Sequence, residues 1–357
     1  MDFGSDIPFT RRDFIKVSAT TGILGFIEAD ALGGNMPNTE ITMAMWEEHR
    51  KPLQQQVGGR YDEMPDRGPL NIEELYRREF HKYTEIKVLY DGEPGERIPA
   101  YLLIPRRVPD GPLPAVLANH QCSWKCDIGK EQVVGKCIFL SDQAYGLELV
   151  LQGFVVLAPD ANKVGERYDP QLRKPWQSPS AFGDSQDACC TAPGGSSGSI
   201  RWKPVFDAMR GIDFLSQHER VDPDRIGMIG HSLGAETTLR TMPIEDRIKV
   251  ATISGGGLVH SSDWSYGMPY ADVLSLIAPR PFLEVTGYRD SVNNKSKDPN
   301  LSVDDRMQEK RSAHLAARAV YRLLGHEDRV ERYEFDGGHS FPEEGRQAAY
   351  AWFKKWL

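Results

Sequence analysis

From residue 84 onward the chain alternates short apolar strands with helix-length segments, which predicts an α/β fold: a mostly parallel central sheet with helices on both faces. Three observations carry that expectation. The strand candidates are continuous apolar runs, the pattern of strands covered on both sides. Helical segments separate most of them, as parallel crossovers require. The 357 residues are 40% hydrophobic and 26% charged, enough for one large core. A net charge of −8, with basic residues spread along the chain, offers no basic face and argues against nucleic acid as a partner.

The N-terminus has the layout of a twin-arginine export leader over residues 1–31. Arg11-Arg12-Asp13-Phe14-Ile15-Lys16 precedes a moderately apolar run, 17–27, and then Ala29-Asp30-Ala31. The apolar run is too short to stay in a bilayer, and no later segment approaches about 18 continuous apolar residues. The processed chain is therefore expected to be periplasmic or extracellular, with no stable membrane insertion.

Residues 32–82 are polar and read as a helical N-terminal extension. Its helices are expected near 43–56 and 71–83, the second opened by Asn71 as a cap with Glu73-Glu74 in its first turn. The main domain is expected over 83–357. It begins with antiparallel strands at 84–90 and 97–104, joined by Asp91-Gly92-Glu93-Pro94-Gly95. Further strands are read at 115–119, 154–158, 226–229, 250–254, 281–286 and 332–335. Helices are read at 143–151, 205–218, 234–241, 308–324 and 344–357. Residues 160–201, rich in Pro, Gly, Ser and charge, are too long for a plain connector and read as a lid-like insertion over the strand ends.

The chemical signal is Gly230-His231-Ser232-Leu233-Gly234. A Gly-x-Ser-x-Gly pattern alone says little. Here it follows Val221-Asp222-Pro223-Asp224-Arg225-Ile226-Gly227-Met228-Ile229, a turn and an apolar strand, and runs into a segment that can be helical. A strand, a sharp turn and a helix lift a serine hydroxyl above the sheet and aim the helix's positive end at a developing oxyanion. Ser232 is thus the candidate nucleophile.

A serine hydroxyl needs a base. Of the histidines after Ser232, His314 falls within a helix, His326 lies just past it, and His260 follows a strand. His339 sits in Phe335-Asp336-Gly337-Gly338-His339, where a glycine-rich loop after a strand can turn an imidazole back toward Ser232, and it is the candidate base. The orienting carboxylate is expected in the loop beyond the 281–286 strand, at Asp290; Glu284 within that strand and Asp263 after the preceding one are the alternatives. Two backbone amides are expected to form the oxyanion hole: Leu233, and Gln121 or Cys122 in the loop after the 115–119 strand. His231 is expected to pack the elbow. With Trp264 and Tyr288 it is also a candidate lining of the substrate pocket, and Trp176 and Trp202 are further aromatics able to stack on a sugar.

These residues resemble the α/β-hydrolase superfamily, and within it the dienelactone hydrolase-like branch that includes acetyl xylan esterase-like proteins. The similar parts are Asp-Pro-Asp-Arg-Ile-Gly before Gly-His-Ser-Leu-Gly, Ala-Pro-Arg-Pro before the acid loop, and Gly-Gly-His before the last helix, within residues 83–357. Dienelactone hydrolase itself uses a cysteine nucleophile, and Ser232 stands there in this chain. The resemblance implies a serine esterase acting on a small-molecule or carbohydrate ester, such as an acetyl ester, without a cofactor. A peptidase or amidase on the same scaffold is the nearest alternative, and a non-catalytic binding module is the remote one. Among five cysteines, Cys122 and Cys126 near His120 match no common zinc spacing, so no metal is expected.

Overall fold

The computed structural model describes residues 42–59, 61–122, 127–137, 143–168, 202–257, 269–290 and 302–357. Among these the sheet strands are β1 (Glu73–Glu79), β2 (Tyr83–Asp91), β3 (Arg97–Pro105), β4 (Leu113–Asn119), β5 (Val155–Pro159), β6 (Val221–His231), β7 (Ile248–Ser254), β8 (Phe282–Gly287) and β9 (Val330–Phe335). The α-helices are α1 (Met43–Gly58), α2 (Tyr145–Leu151), α3 (Lys203–Gln217), α4 (Leu233–Thr241), α5 (Tyr270–Ile277), α6 (Val303–Leu323) and α7 (Glu343–Trp356).

The strands form one sheet in the order β1-β2-β3-β5-β4-β6-β7-β8-β9. β1 to β3 are antiparallel, β3 meets β5 antiparallel, and every pairing from β5 to β9 is parallel. The expected α/β architecture is therefore the observed one. The parallel strands β4 to β8 are buried along most of their length, β5 and β8 throughout, which is why they read as apolar runs without alternation. Successive residues still face opposite layers. Ala115 and Leu117 join the core beneath α1 and α3 to α6, while Val116 and Ala118 join the core beneath α2 and α7.

The chain winds from β4 to β5 on one side and then returns to place β6 on the other. That reversal is a topological switch point, and it opens a crevice beyond the C-terminal ends of β4 and β6. The loop carrying His120, Gln121 and Cys122 leaves β4 there, and Ser232 leaves β6 beside it.

The 71–83 helix is corrected: that segment is the edge strand β1, paired antiparallel with β2. Asn71 does not cap a helix. Its φ is 43°, and its side-chain amide donates to Asp91 Oδ2 at 2.5 Å. The segment has little apolar surface to bury as a helix, whereas β2 offers a free row of backbone partners. An irregularity between Glu74 and Tyr76 breaks the period-2 alternation that would have revealed a strand. The sheet thus starts before residue 83. α5 was not anticipated either, because Tyr270–Ile277 is buried at every position and shows no amphipathic period. The expected helix at 43–56 is present as α1, whose Trp46, Leu53 and Val57 enter the core. The leader and most of the 160–201 insertion lie outside the described residues; of the latter, 160–168 form a loop with a short 3₁₀ turn at Gly165–Arg167. None of the described helices is long and apolar enough to cross a membrane.

Candidate active site

Ser232 sits between β6 and α4 with φ 54° and ψ −113°, a left-handed strain that a non-glycine residue holds only when its surroundings impose it. The two glycines of the motif permit this. A Cβ on Gly230 would fall 2.2 Å from Gly234's carbonyl, and a Cβ on Gly234 would fall 2.2 Å from the carbonyl oxygen of Asn119. Elbow and β4 loop can therefore touch only through glycine. The Ser232 amide donates to the Ser254 carbonyl at 2.9 Å, fastening the elbow to the end of β7.

The structure brings Ser232, His339 and Asp290 together. His339 Nε2 lies 2.8 Å from Ser232 Oγ, and His339 Nδ1 lies 2.9 Å from Asp290 Oδ2. A carboxylate only accepts, so Nδ1 carries the hydrogen and Nε2 is left free to accept from the serine. Asp290 is 1% exposed. The loops after β8 and β9 are sewn together by backbone bonds, Tyr288 N–H to the Phe335 carbonyl at 2.9 Å and Arg289 N–H to the Gly337 carbonyl at 2.8 Å. These bonds set the two side chains in register.

Glu284 is fully buried and alternates away from Leu283 and Val285 onto the α5–α6 face, where Arg332 Nε is 3.7 Å from its carboxylate. It makes no hydrogen bond to His339. Asp263, His260, Trp264 and Trp176 lie outside the described residues. His314 is buried in α6, and His326 opens a 3₁₀ turn beyond it.

His231 is corrected as a pocket residue. It is 0% exposed, because the alternation of β6 sends it to the side of Ile229, beneath the site. Its ring centre lies 4.8 Å from that of His339, Phe341 stacks nearby with centres 6.1 Å apart, and Nδ1 lies 3.0 Å from Ser254 Oγ. A Cβ on Gly255 would come within 3.0 Å of His231 Cε1 and 3.1 Å of His339 Cε1. His231, Ser254 and Gly255 thus form a floor under His339. The Ser254-Gly255-Gly256-Gly257 run after a strand was the sequence signal that could have exposed it. Of the other aromatics, Trp202 packs edge-on against Phe206, and half-buried Tyr288 has the Arg311 guanidinium 5.9 Å from its ring centre.

On the opposite wall, Leu233 begins α4, and the loop after β4 is held from below. Tyr145 Oη donates to the Asn119 carbonyl, and Gln132 Nε2 donates to the carbonyls of Gln121 at 3.4 Å and Ile128 at 3.2 Å. Cys122 is disulfide-bonded, while Cys137 is a buried free thiol. Among the described residues no cluster of His, Cys, Asp or Glu is arranged to hold a metal ion.

Burial drives the pKa of His231 down to about 3, with neighbouring His339 adding to the effect, and burial drives that of His314 to about 3 as well. The unfolded chain, with ordinary imidazoles near 6.5, then binds protons that the folded protein refuses. Stability from these groups is present above about pH 6.5 and is lost as pH falls toward 3, by about 2 kcal/mol each at pH 5. The melting temperature is expected to drop steadily between pH 7 and 5. A melting temperature constant over that interval would contradict the two buried neutral rings.

A serine at a strand–helix elbow, set at the switch point of a parallel sheet and met by a histidine from the loop after β9, belongs to the α/β-hydrolase fold. Comparison with known proteins agrees on that class. The Bacillus subtilis (strain 168) protein named "Putative hydrolase YtaP" is 27% identical over 328 residues, covering 87% of this chain and 99% of its own length. Among solved structures, "Methylesterase BT1017" is similar with a TM-score of 0.64 at 16% identity, over 93% of this chain and 67% of that one. The glucuronoyl esterase from Solibacter usitatus is similar with a TM-score of 0.61 at 16% identity, over 95% of this chain and 98% of that one. No protein-family model matches the chain.

Proposed function

We propose that the protein is an exported serine esterase that cleaves carboxylic esters by two-step acyl transfer. The observation that carries this reading is the hydrogen-bonded chain from Ser232 Oγ through His339 to Asp290. His339 Nε2 takes the proton from Ser232 Oγ as the oxygen attacks the ester carbonyl. The resulting oxyanion is held by the Leu233 amide and an amide of the loop after β4. His339 then gives its proton to the departing alcohol, leaving an acyl-serine. A water, deprotonated by the same imidazole, hydrolyses that ester, and the acid leaves with Ser232 restored. Asp290 holds the tautomer throughout and stabilises the imidazolium.

The ester class is supported by the two similar solved structures, both esterases by name. The glucuronoyl esterase, matched over nearly its whole length, favours carbohydrate-borne esters, and likeness to a structure described as a putative acetyl xylan esterase from Bacteroides fragilis NCTC 9343 brings acetyl esters among them. Residues 1–31 support export by the twin-arginine route and a periplasmic or extracellular site of action.

The test is hydrolysis of p-nitrophenyl esters from acetate to octanoate by the purified protein. Turnover that peaks at acetate is expected for a small-acyl esterase and directs the search to acetylated glycans. Inactivity on every ester together with cleavage of peptide amides would replace the esterase reading with the peptidase one.

A further inference from the structure

The backbone beneath His339 is a run of glycines, and glycine by itself does not hold a conformation. Gly255 and Gly257 sit at φ 57° and 76°, in the left-handed region that residues without a Cβ enter freely. What fixes Gly255-Gly256-Gly257 is therefore the set of groups packed around it. The Gly255 amide donates to the Val285 carbonyl at 3.0 Å. α4 leans on the segment, since a Cβ on Gly256 would stand 2.7 Å from the Ala235 Cβ and 3.6 Å from Glu236 Oε1. α5 closes its end, because a Cβ on Gly257 would stand 2.5 Å from Tyr270 Oη. From α6, Lys310 Nζ donates to the Gly256 carbonyl at 3.2 Å.

Lys310 is 1% exposed, and among the described residues its ammonium makes no ion pair. The interior acids nearby meet other partners: Glu284 faces Arg332, and Asp290 faces His339. Removing an ammonium from water costs more than one hydrogen bond to a neutral carbonyl returns. Stability alone is thus a poor account of this residue, and the backbone attached to that carbonyl is a better one. Burial lowers the pKa of Lys310, Glu284 raises it, Arg332 lowers it, and Asp290 and Glu236 raise it. Ionisable groups under such strong and opposed influences concentrate at functional sites.

The carbonyl that Lys310 holds is one residue from the support of the catalytic ring. A Cβ on Gly255 would meet both Nδ1 and Cε1 of His339 at 3.1 Å, so the imidazole rests directly on this backbone. A turn of the Gly255-Gly256 segment would move that support. With it would move a ring that stands 2.8 Å from Ser232 Oγ and 2.9 Å from Asp290 Oδ2.

We propose that Lys310 is a positioning residue of the active site: its hydrogen bond to the Gly256 carbonyl fixes the glycine backbone on which the His339 imidazole rests. The proposal rests on the acyl-transfer reading of Ser232. Lys310 touches none of the reacting atoms and acts through His339.

The test compares the full-length variants Lys310→Met and Glu284→Gln. Methionine has the length of the lysine stem without its nitrogen, so it removes the donor and keeps the packing. Glu284→Gln changes a charge that acts on Lys310 but makes no hydrogen bond to His339, and it serves as the comparator for plain loss of stability. Competent enzyme is counted first by fluorophosphonate labelling taken to completion, so that unfolded protein does not enter kcat. On p-nitrophenyl acetate, Lys310→Met is expected to lose about 10- to 100-fold in kcat with KM changed less than about threefold. The imidazole moves the proton in both acylation and deacylation, so the loss falls on kcat whichever step limits. Glu284→Gln is expected to stay within about threefold of the parent. The NMR resonance of the His339 Nδ1 proton, assigned by its loss in His339→Gln, is expected to shift or broaden in Lys310→Met alone. Parent-like kcat in Lys310→Met, equal losses in the two variants, or an unmoved resonance would overturn the proposal.

Should Lys310→Met not fold, Lys310→Gln keeps a polar group in the cavity that stops a bond short of the Gly256 carbonyl. A severalfold fall in kcat at unchanged KM is then expected, and unchanged kcat would overturn the proposal. Failure of the underlying reading looks different: it would appear as turnover that survives Ser232→Ala.

Discussion

Replacing Ser232 by alanine is expected to lower kcat by about 10⁴-fold or more while leaving the melting temperature within a few degrees of the parent. The magnitude follows from the geometry. Ser232 Oγ is the atom 2.8 Å from His339 Nε2, so its removal deletes the covalent step and leaves only whatever amides and binding contribute over water. Folding is expected to survive because the strain at this residue lies in its backbone, and alanine keeps the same Cβ. The measurement is steady-state turnover of p-nitrophenyl acetate, with fluorophosphonate labelling of parent and variant followed by mass spectrometry. Parent-like turnover in the variant would remove Ser232 from the chemistry. A dead variant in which the parent is labelled at Ser232 supports the acyl-enzyme.

Asp290→Asn is expected to cost about 10³- to 10⁴-fold in kcat. An amide facing Nδ1 at 2.9 Å offers its NH₂ as well as its oxygen, and the imidazole turns to the tautomer with hydrogen on Nε2, which cannot accept from Ser232. Glu284→Gln is expected to behave differently. Its carboxylate faces Arg332 at 3.7 Å on the α5–α6 side of the sheet, so neutralising it leaves a buried cation less compensated and lowers the melting temperature. Its kcat is expected to stay within about threefold of the parent. Measuring kcat for both variants, with Asp263→Asn beside them, distinguishes the three carboxylates that the sequence offers. Retained turnover in Asp290→Asn with collapse in Asp263→Asn would move the acid to the loop after β7.

Much of this molecule is legible in one dimension because its signals are local. Continuous apolar runs mark strands that helices cover on both faces, and the alternation with helices implies a parallel sheet. Gly230 and Gly234 are legible because a strand can reverse into a helix around a strained serine only where neighbouring backbones come within 2.2 Å of an absent Cβ. Gly337 in the Gly337-Gly338-His339 run is legible for a similar reason, since a Cβ there would fall 2.5 Å from Phe335 Cε2.

Features that depend on distant partners were not legible. Glu73–Glu79 becomes a strand only because β2 lends its outer edge, and the irregularity beside Tyr76 hides the alternation. Tyr270–Ile277, buried on all sides, has no period to read.

By itself the sequence determined the fold class, the elbow and the residue types available for chemistry, since each is encoded in spacings of a few residues. Tertiary structure alone decided which carboxylate meets His339, that His231 lies beneath the site instead of within it, and that Lys310 reaches the glycines after β7. These are questions of register and of the face from which a side chain leaves its strand or helix. They are settled by contacts between Asp290 and His339, between His231 and Ser254, and between Lys310 and Gly256, residues that lie 49, 23 and 54 positions apart in the chain.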